Sequence, residues 1–246
     1  MGVKTDVNAT KLTMSFPIYA EVIAQKDYLF ADPVLNQTKP DVNDKISFNF
    51  EHITSQVNLQ VGVETDAANQ QPGEWKDANT VIEVQSITFK GLSDALNYVY
   101  NIDGQNNNEP IKASGNKQDI TLTYAENFIE AAATISTTNY PANTEWKNLN
   151  NTNSVLFLAP ETLGEVTIVY TVTTTAAGNA QNSSTITNTV TENLSSLTLA
   201  AGTSYNLNFL IGMTSVKITS EVTNWTPAAN ATQVNVPGNT PAPAGD

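Results

Sequence analysis

Alternating apolar and polar residues are the dominant pattern of the chain and recur from end to end, which predicts β-strands with one buried face. Leu12, Met14, Phe16, Ile18, Ala20 and Val22 share one face, with Thr13, Ser15, Tyr19 and Glu21 mostly on the other. This reads as one long strand with Pro17 at an edge or a bulge, because proline has no N–H to give to a ladder. Further runs are Ile46/Phe48/Phe50, Val57/Leu59/Val61/Val63, Ile82/Val84 with Ile87/Phe89, Leu96/Tyr98/Tyr100/Ile102 and Ile120/Leu122/Tyr124. The later half adds Val155/Phe157, Val166/Ile168/Tyr170/Val172, Tyr205/Leu207/Phe209/Ile211 and Val216/Ile218 running on to Val222 and Trp225. About ten to twelve strands are expected from these runs and the turn clusters between them. The one helix candidate of any length is the Ala- and Glu-containing stretch 124–133.

Strands with a single apolar face belong to antiparallel sheets, and two such sheets packed face to face bury those faces most economically. The expected fold is therefore an all-β antiparallel sandwich occupying residues 1–225. A division into two smaller β domains near Asn139–Asn153 is the alternative. Residues 226–246 carry four prolines and only Val234 and Val236 as sizeable apolar residues. Such a composition does not bury enough surface to offset ordering entropy by itself, so it reads as an extended tail.

Composition sharpens this picture. Of 246 residues about a quarter are Thr or Asn, which suit pleated surfaces and turns rather than helices. All eleven basic residues are lysines, and 24 acidic residues bring the net charge to −13. The cationic clusters that hold polyanions are missing, so nucleic acid is excluded as a partner. Cysteine is absent, which removes disulfides, thiolate metal sites and cysteine nucleophiles together. No stretch approaches the roughly 18 apolar residues of a membrane-spanning helix. Nor does a basic start lead into an apolar run, so an exported form would have its leader missing from this chain.

Candidate chemistry is sparse. His52 is the one histidine, whereas catalytic triads need an imidazole beside a nucleophile and zinc sites usually need several nitrogen or sulfur ligands. It reads as a strand-end residue satisfied by local hydrogen bonds. Asn101-Ile102-Asp103-Gly104 with Glu109 has a faint calcium-loop character, but Val99 stands where such a loop needs its opening acidic residue; Asp41-Val42-Asn43-Asp44 is similarly loop-like, and both read as solvated turns. Gly202 and Gly212 bracket a strand and read as turn residues. Trp75, Trp146 and Trp225 would stack on sugar rings if exposed, and otherwise fill the core or its rim. No catalytic, cofactor-binding or metal-binding residue is expected.

Several segments, in order, resemble the fimbrillin-like pilins and adhesins (type V pili) of Bacteroidetes. They are Tyr28-Leu29-Phe30-Ala31-Asp32, the stretch 46–57 with its Phe50-Glu51-His52 core, Ser154–Pro160 followed by Val166–Tyr170, and Leu199–Tyr205 with closure at Trp225. The resemblance covers residues from about 16 to 225. It implies a secreted, transthyretin-like Greek-key β-sandwich without enzymatic activity, which acts as a structural or adhesive subunit of surface fimbriae. The chain departs from the family in having no Cys, no Arg and only 27 residues before Tyr28, so the expectation is either that a leader and first domain have been removed or that residues 1–33 are the remnant of a reduced N-terminal domain. The implied partners are other copies, other pilin subunits, or host and bacterial surface glycans and proteins. The implied location is the cell surface. Val234 and Val236 are the candidate donor-strand residues, and Trp75 and Trp146 the candidate glycan-stacking residues. A carbohydrate-binding surface module and a phage virion surface protein are the alternative readings.

Overall fold

Strands make up nearly all of the regular structure, as the period-two pattern requires. The computed structural model describes residues 4–7, 10–31, 48–63, 79–101, 109–124, 134–136, 147–149, 155–175, 183–211, 216–223 and 225. In chain order the strands begin with β1 (Lys4–Val7), β2 (Lys11–Pro17), β3 (Leu29–Ala31), β4 (Phe50–His52) and β5 (Ser55–Val63). Next come β6 (Asn79–Asn101), β7 (Glu109–Thr123), β8 (Thr134–Ser136), β9 (Lys147–Asn148) and β10 (Leu156–Leu158). The last are β11 (Glu165–Thr175), β12 (Ser183–Asn193), β13 (Ser204–Ile211) and β14 (Val216–Thr223).

One sheet runs β1-β2-β6-β11-β12, with β7 and β8 along the other edge of β6. The second runs β10-β5-β13-β14, with β9 also beside β5. β3 and β4 form a separate two-stranded ribbon. Between the sheets lie Val166, Ile168, Tyr170 and Val172 of β11, Val57, Leu59 and Val61 of β5, and Tyr205, Leu207, Phe209 and Ile211 of β13. Among the described residues every strand pairing is antiparallel except β5 with β13, which run parallel with Val57 opposite Tyr205 and Val61 opposite Phe209. Both sheets draw strands from each side of residues 139–153, so a division there would cut through the sheets.

β6 is one 23-residue strand where the pattern predicts two. Its apolar face changes parity twice, and each change coincides with a bulge. Val84 faces Tyr170 and Ser86 faces Val169, so Gln85 is extra and the buried set passes from Ile82/Val84 to Ile87/Phe89. Further on, Phe89 faces Ile120 and Leu92 faces Gln118, which returns burial to even positions. The second bulge holds Gly91 at φ 64°, and the Asp119 carboxylate accepts from Gly91 N and Lys90 Nζ, both at 2.9 Å. These two bonds hold the Asp119 carboxyl below its ordinary range.

A third irregularity sits on β7 at Gly115, whose φ is 83°. The space a side chain would need there is occupied by the Asp94 carboxylate, which accepts from Asn116 N at 2.8 Å. Gly115→Ala is therefore expected to cost about 1–3 kcal/mol in chemical denaturation. Gly91→Ala, which meets no neighbour, should cost about 1–2 kcal/mol from its backbone conformation alone. Equal losses would mean that Asp94 yields freely.

Several expectations are corrected. The first long strand stops at Pro17, and Val22 lies in a short 3-10 turn, Val22–Ala24. Ile18 N donates to Asp94 O at 2.7 Å, so Pro17 turns its nitrogen to the opposite side, beyond the Lys4–Ser15 pair where β1 meets β2. Phe50 is not a core residue: it lies in the β3–β4 ribbon and is 46% exposed. In β10 the buried side chains are Leu156 and Leu158, the opposite face from Val155/Phe157. β1 and β12 have no counterpart among the predicted runs. The helix candidate beyond Tyr124, like the tail 226–246, lies outside the described residues.

Candidate functional site

The densest polar and aromatic junction among the described residues surrounds His52, at the end of β4 and opposite Leu29 of β3. Its Nδ1 lies 2.8 Å from Asp27 Oδ2 without making a hydrogen bond. Asp27 Oδ1 accepts from Thr54 Oγ1 at 3.2 Å. Trp225 stacks on the imidazole with ring centroids 3.9 Å apart and planes 22° apart. Phe157 of β10 extends the stack at 6.0 Å.

Backbone bonds fasten this cluster to both neighbouring segments. Ile53 N donates to Tyr28 O at 2.9 Å, Gly202 N to Thr54 O at 2.9 Å and Gln56 N to Thr203 O at 3.0 Å. Gln25 bridges, accepting from Phe157 N at 2.8 Å and donating to Tyr19 O at 2.9 Å. Gly202 has φ 67°, and a β-carbon there would lie 3.1 Å from His52 O. The turn thus needs glycine both for its left-handed backbone and for the close approach. The turn is held from behind by Ala200 N donating to the Tyr205 hydroxyl at 2.9 Å and by Ser55 Oγ donating to Ala200 O at 2.8 Å. Tyr28 donates to Pro17 O at 3.0 Å, and burial, with Tyr19 beside it, pushes its phenol up.

No catalytic group emerges from this geometry. His52 has a carboxylate on one side and an indole over its face, and among the described residues no hydroxyl hydrogen-bonds to it. The other polar cluster joins Ser93, Lys117 and Glu161. Ser93 N and Oγ donate to Glu161 at 2.7 and 3.0 Å, and Lys117 Nζ donates to both Ser93 Oγ at 2.9 Å and Glu161 Oε2 at 2.6 Å. Ser93 is buried and its hydroxyl fully engaged, so the cluster is a tie between β6, β7 and the segment before β11. Among the described residues no group of three or more His, Cys, Asp or Glu could hold a metal ion. No helix among them is long and apolar enough to cross a membrane.

His52 is a strand-end residue, as the sequence suggests, but local hydrogen bonds do not satisfy it: its buried Nδ1 makes none, and its neighbours are the Asp27 carboxylate and the Trp225 indole. Trp225, grouped with the possible sugar-stacking residues, has one face taken by His52. Trp75, Trp146, Val234 and Val236 lie outside the described residues. Asp27, Gln25 and Glu161 were not anticipated, since each acts on a residue remote in sequence and no motif marks them.

The segments that carried the resemblance meet in space here: Tyr28 with Ile53, His52 with Trp225, Phe157 with Gln25, and Gly202 with Thr54. Residues 2–225 match the model of the fimbrillin-like family. The chain belongs to the fimbrillin-like family. A solved fimbrial protein from Bacteroides vulgatus ATCC 8482 is 20% identical, with a TM-score of 0.59, over 92% of this chain and 72% of that one. That likeness supports the same fold. A candidate cell adhesion protein from Bacteroides uniformis ATCC 8492 is 15% identical, with a TM-score of 0.39, over 90% of this chain and 76% of that one. No curated protein matches the chain in sequence. As a fimbrillin-like protein the chain is a structural component rather than an enzyme.

Proposed function

We propose that the chain is a structural and adhesive subunit of a bacterial surface fimbria, exported to the cell surface and joined to other copies or other pilin subunits by β-strand contacts. Family membership over residues 2–225 carries the reading. It is supported by the way His52, Ser93 and Glu161, the residues best suited to chemistry, are consumed in packing and cross-links. Immunogold labelling with an antibody against the chain should decorate surface fibres, and deletion of its gene should remove or shorten them. Unlabelled fibres that persist in the deletion strain would overturn the proposal.

In the same reading Val234 and Val236 are the donor residues of an extended C-terminal segment that adds to a neighbour's sheet edge, main-chain bonds giving affinity and alternate side chains specificity. Two valines contribute about 1.5–3 kcal/mol each at most, and Pro237, Pro241 and Pro243 stop pairing beyond Val236. Removing residues 227–246 is expected to abolish polymers while the melting temperature of the remaining chain stays nearly unchanged. Polymers that survive the deletion would refute donation. A melting temperature that falls with the deletion would show that the segment packs on its own subunit.

A further inference from the structure

Most sheet edges of this molecule carry recognisable protection against pairing with another chain. β1 bears Lys4 and Asp6, β7 bears Pro110, Lys112, Lys117 and the Gly115 irregularity, and β14 bears Lys217 and Glu221. β9 and β10 span two and three residues. β12 is different. It is an 11-residue edge strand that pairs with β11 in unbroken register and, among the described residues, with no other strand. It has no lysine, no proline and no bulge, and its one charge is Glu192 beside its end.

We infer that the free edge of β12 pairs antiparallel with β12 of a second copy, joining two subunits through one continuous sheet. The inference rests on the fold and the β12 sequence, not on the fimbrial role. Full overlap sets Ser183 opposite the second copy's Asn193, Thr185 opposite Thr191, Ile186 opposite Val190, Thr187 opposite Thr189, and Asn188 opposite itself. This register matches the two faces of the strand. On the inner face it covers Ile186, which is 59% exposed in the single chain, with an apolar partner. On the outer face it sets threonine against threonine, the arrangement already made across β11 and β12 by Thr167 with Thr191 at 3.0 Å and Thr173 with Thr185 at 2.9 Å.

Other registers are worse. A shift of one residue turns inner side chains outward, and a shift of two places Ile186 opposite Asn188 or Glu192. Charge favours the antiparallel arrangement as well. It carries the two Glu192 carboxylates to opposite ends of the joint, roughly 27 Å apart along the strand and well beyond a Debye length of about 8 Å.

Sedimentation velocity on the full chain over a range of concentrations tests this, with thermal melts to verify that each variant folds. The unaltered chain is expected to show a concentration-dependent dimer. Thr187→Lys with Thr189→Lys sets lysines against lysines at two places across the joint, and should weaken dimerisation by about tenfold or more. Thr187→Lys with Thr189→Glu sets opposite charges against each other in the proposed register, and should restore it. A chain that stays monomeric at every concentration overturns the inference. So does a dimer indifferent to both variants, whose contact lies elsewhere, and so does equal weakening by both, which excludes this register.

Discussion

Phe209→Ala is expected to lower the free energy of unfolding by about 3–5 kcal/mol. Phe209 lies on β13, which is flanked on both sides, with Val61 of β5 opposite in the parallel pair and Ile218 of β14 opposite in the antiparallel one. It is fully buried and among the largest side chains with no exposure. Both sheets press on it and strands hold the backbone on either side, so little of the vacated space can close. The cost therefore includes a cavity as well as the lost transfer of the ring. Urea denaturation with an unchanged m-value would read the loss as stability rather than altered compactness. Val222→Ala on the neighbouring edge strand is the control, because Val222 is largely exposed and such surface changes stay within about 0.5 kcal/mol. Similar losses for the two variants would mean that β13 does not lie at the centre of the core.

How far such a core can be read in advance depends on how each strand meets its neighbours. β5, β11 and β13 are legible because they lie inside their sheets and keep one buried face throughout, so their alternation is uninterrupted. β6 is harder: at Gln85 and at Lys90–Gly91 the ladder gains residues, and the pattern breaks into fragments that look like separate strands. β12 disappears from an apolar pattern because threonines occupy its outer face and Ile186 and Val190 are its only sizeable apolar residues. Phe50 misleads in the other direction, since its alternation with Phe48 is real but the ribbon it belongs to lies outside the two main sheets. The His52 junction is half legible. The place of His52 at a strand end could be anticipated, but the Asp27 carboxylate beside the ring is 25 residues away and the indole that covers it comes from Trp225. No rule of spacing links such positions. What did link them was the order of the family's segments, which makes sense once Tyr28, His52, Phe157, Gly202 and Trp225 are found in one place.

The tie at Glu161 shows the same limit, and it makes a strong prediction of its own. Glu161→Ala should cost about 1–3 kcal/mol, mainly through Ser93 and not through the ion pair. Ser93 is buried on β6, and its N–H has the Glu161 carboxylate as acceptor at 2.7 Å. Without the carboxylate that donor is stranded away from water. The lysine contributes far less: Lys117 is 61% exposed while Glu161 is 10% exposed, so its charge is screened and the pair adds about 0–1 kcal/mol. Three variants separate these contributions. Glu161→Gln keeps an acceptor for Ser93 N and should cost less than Glu161→Ala, while Lys117→Ala should cost least. The loss in Glu161→Ala should also persist at high salt, because a desolvated hydrogen bond is not a screened charge pair. If Lys117→Ala proved as costly as Glu161→Ala, or if salt erased the difference, the cross-link would be an ion pair and the account of Ser93 would fall. Residue 161 also accepts from Leu199 N through its own carbonyl at 2.9 Å. One residue therefore fastens the segment before β11 to β6 through its side chain and to the turn before β13 through its backbone; Glu161→Ala removes only the first tie, so its loss should be confined to the Ser93 side of the junction.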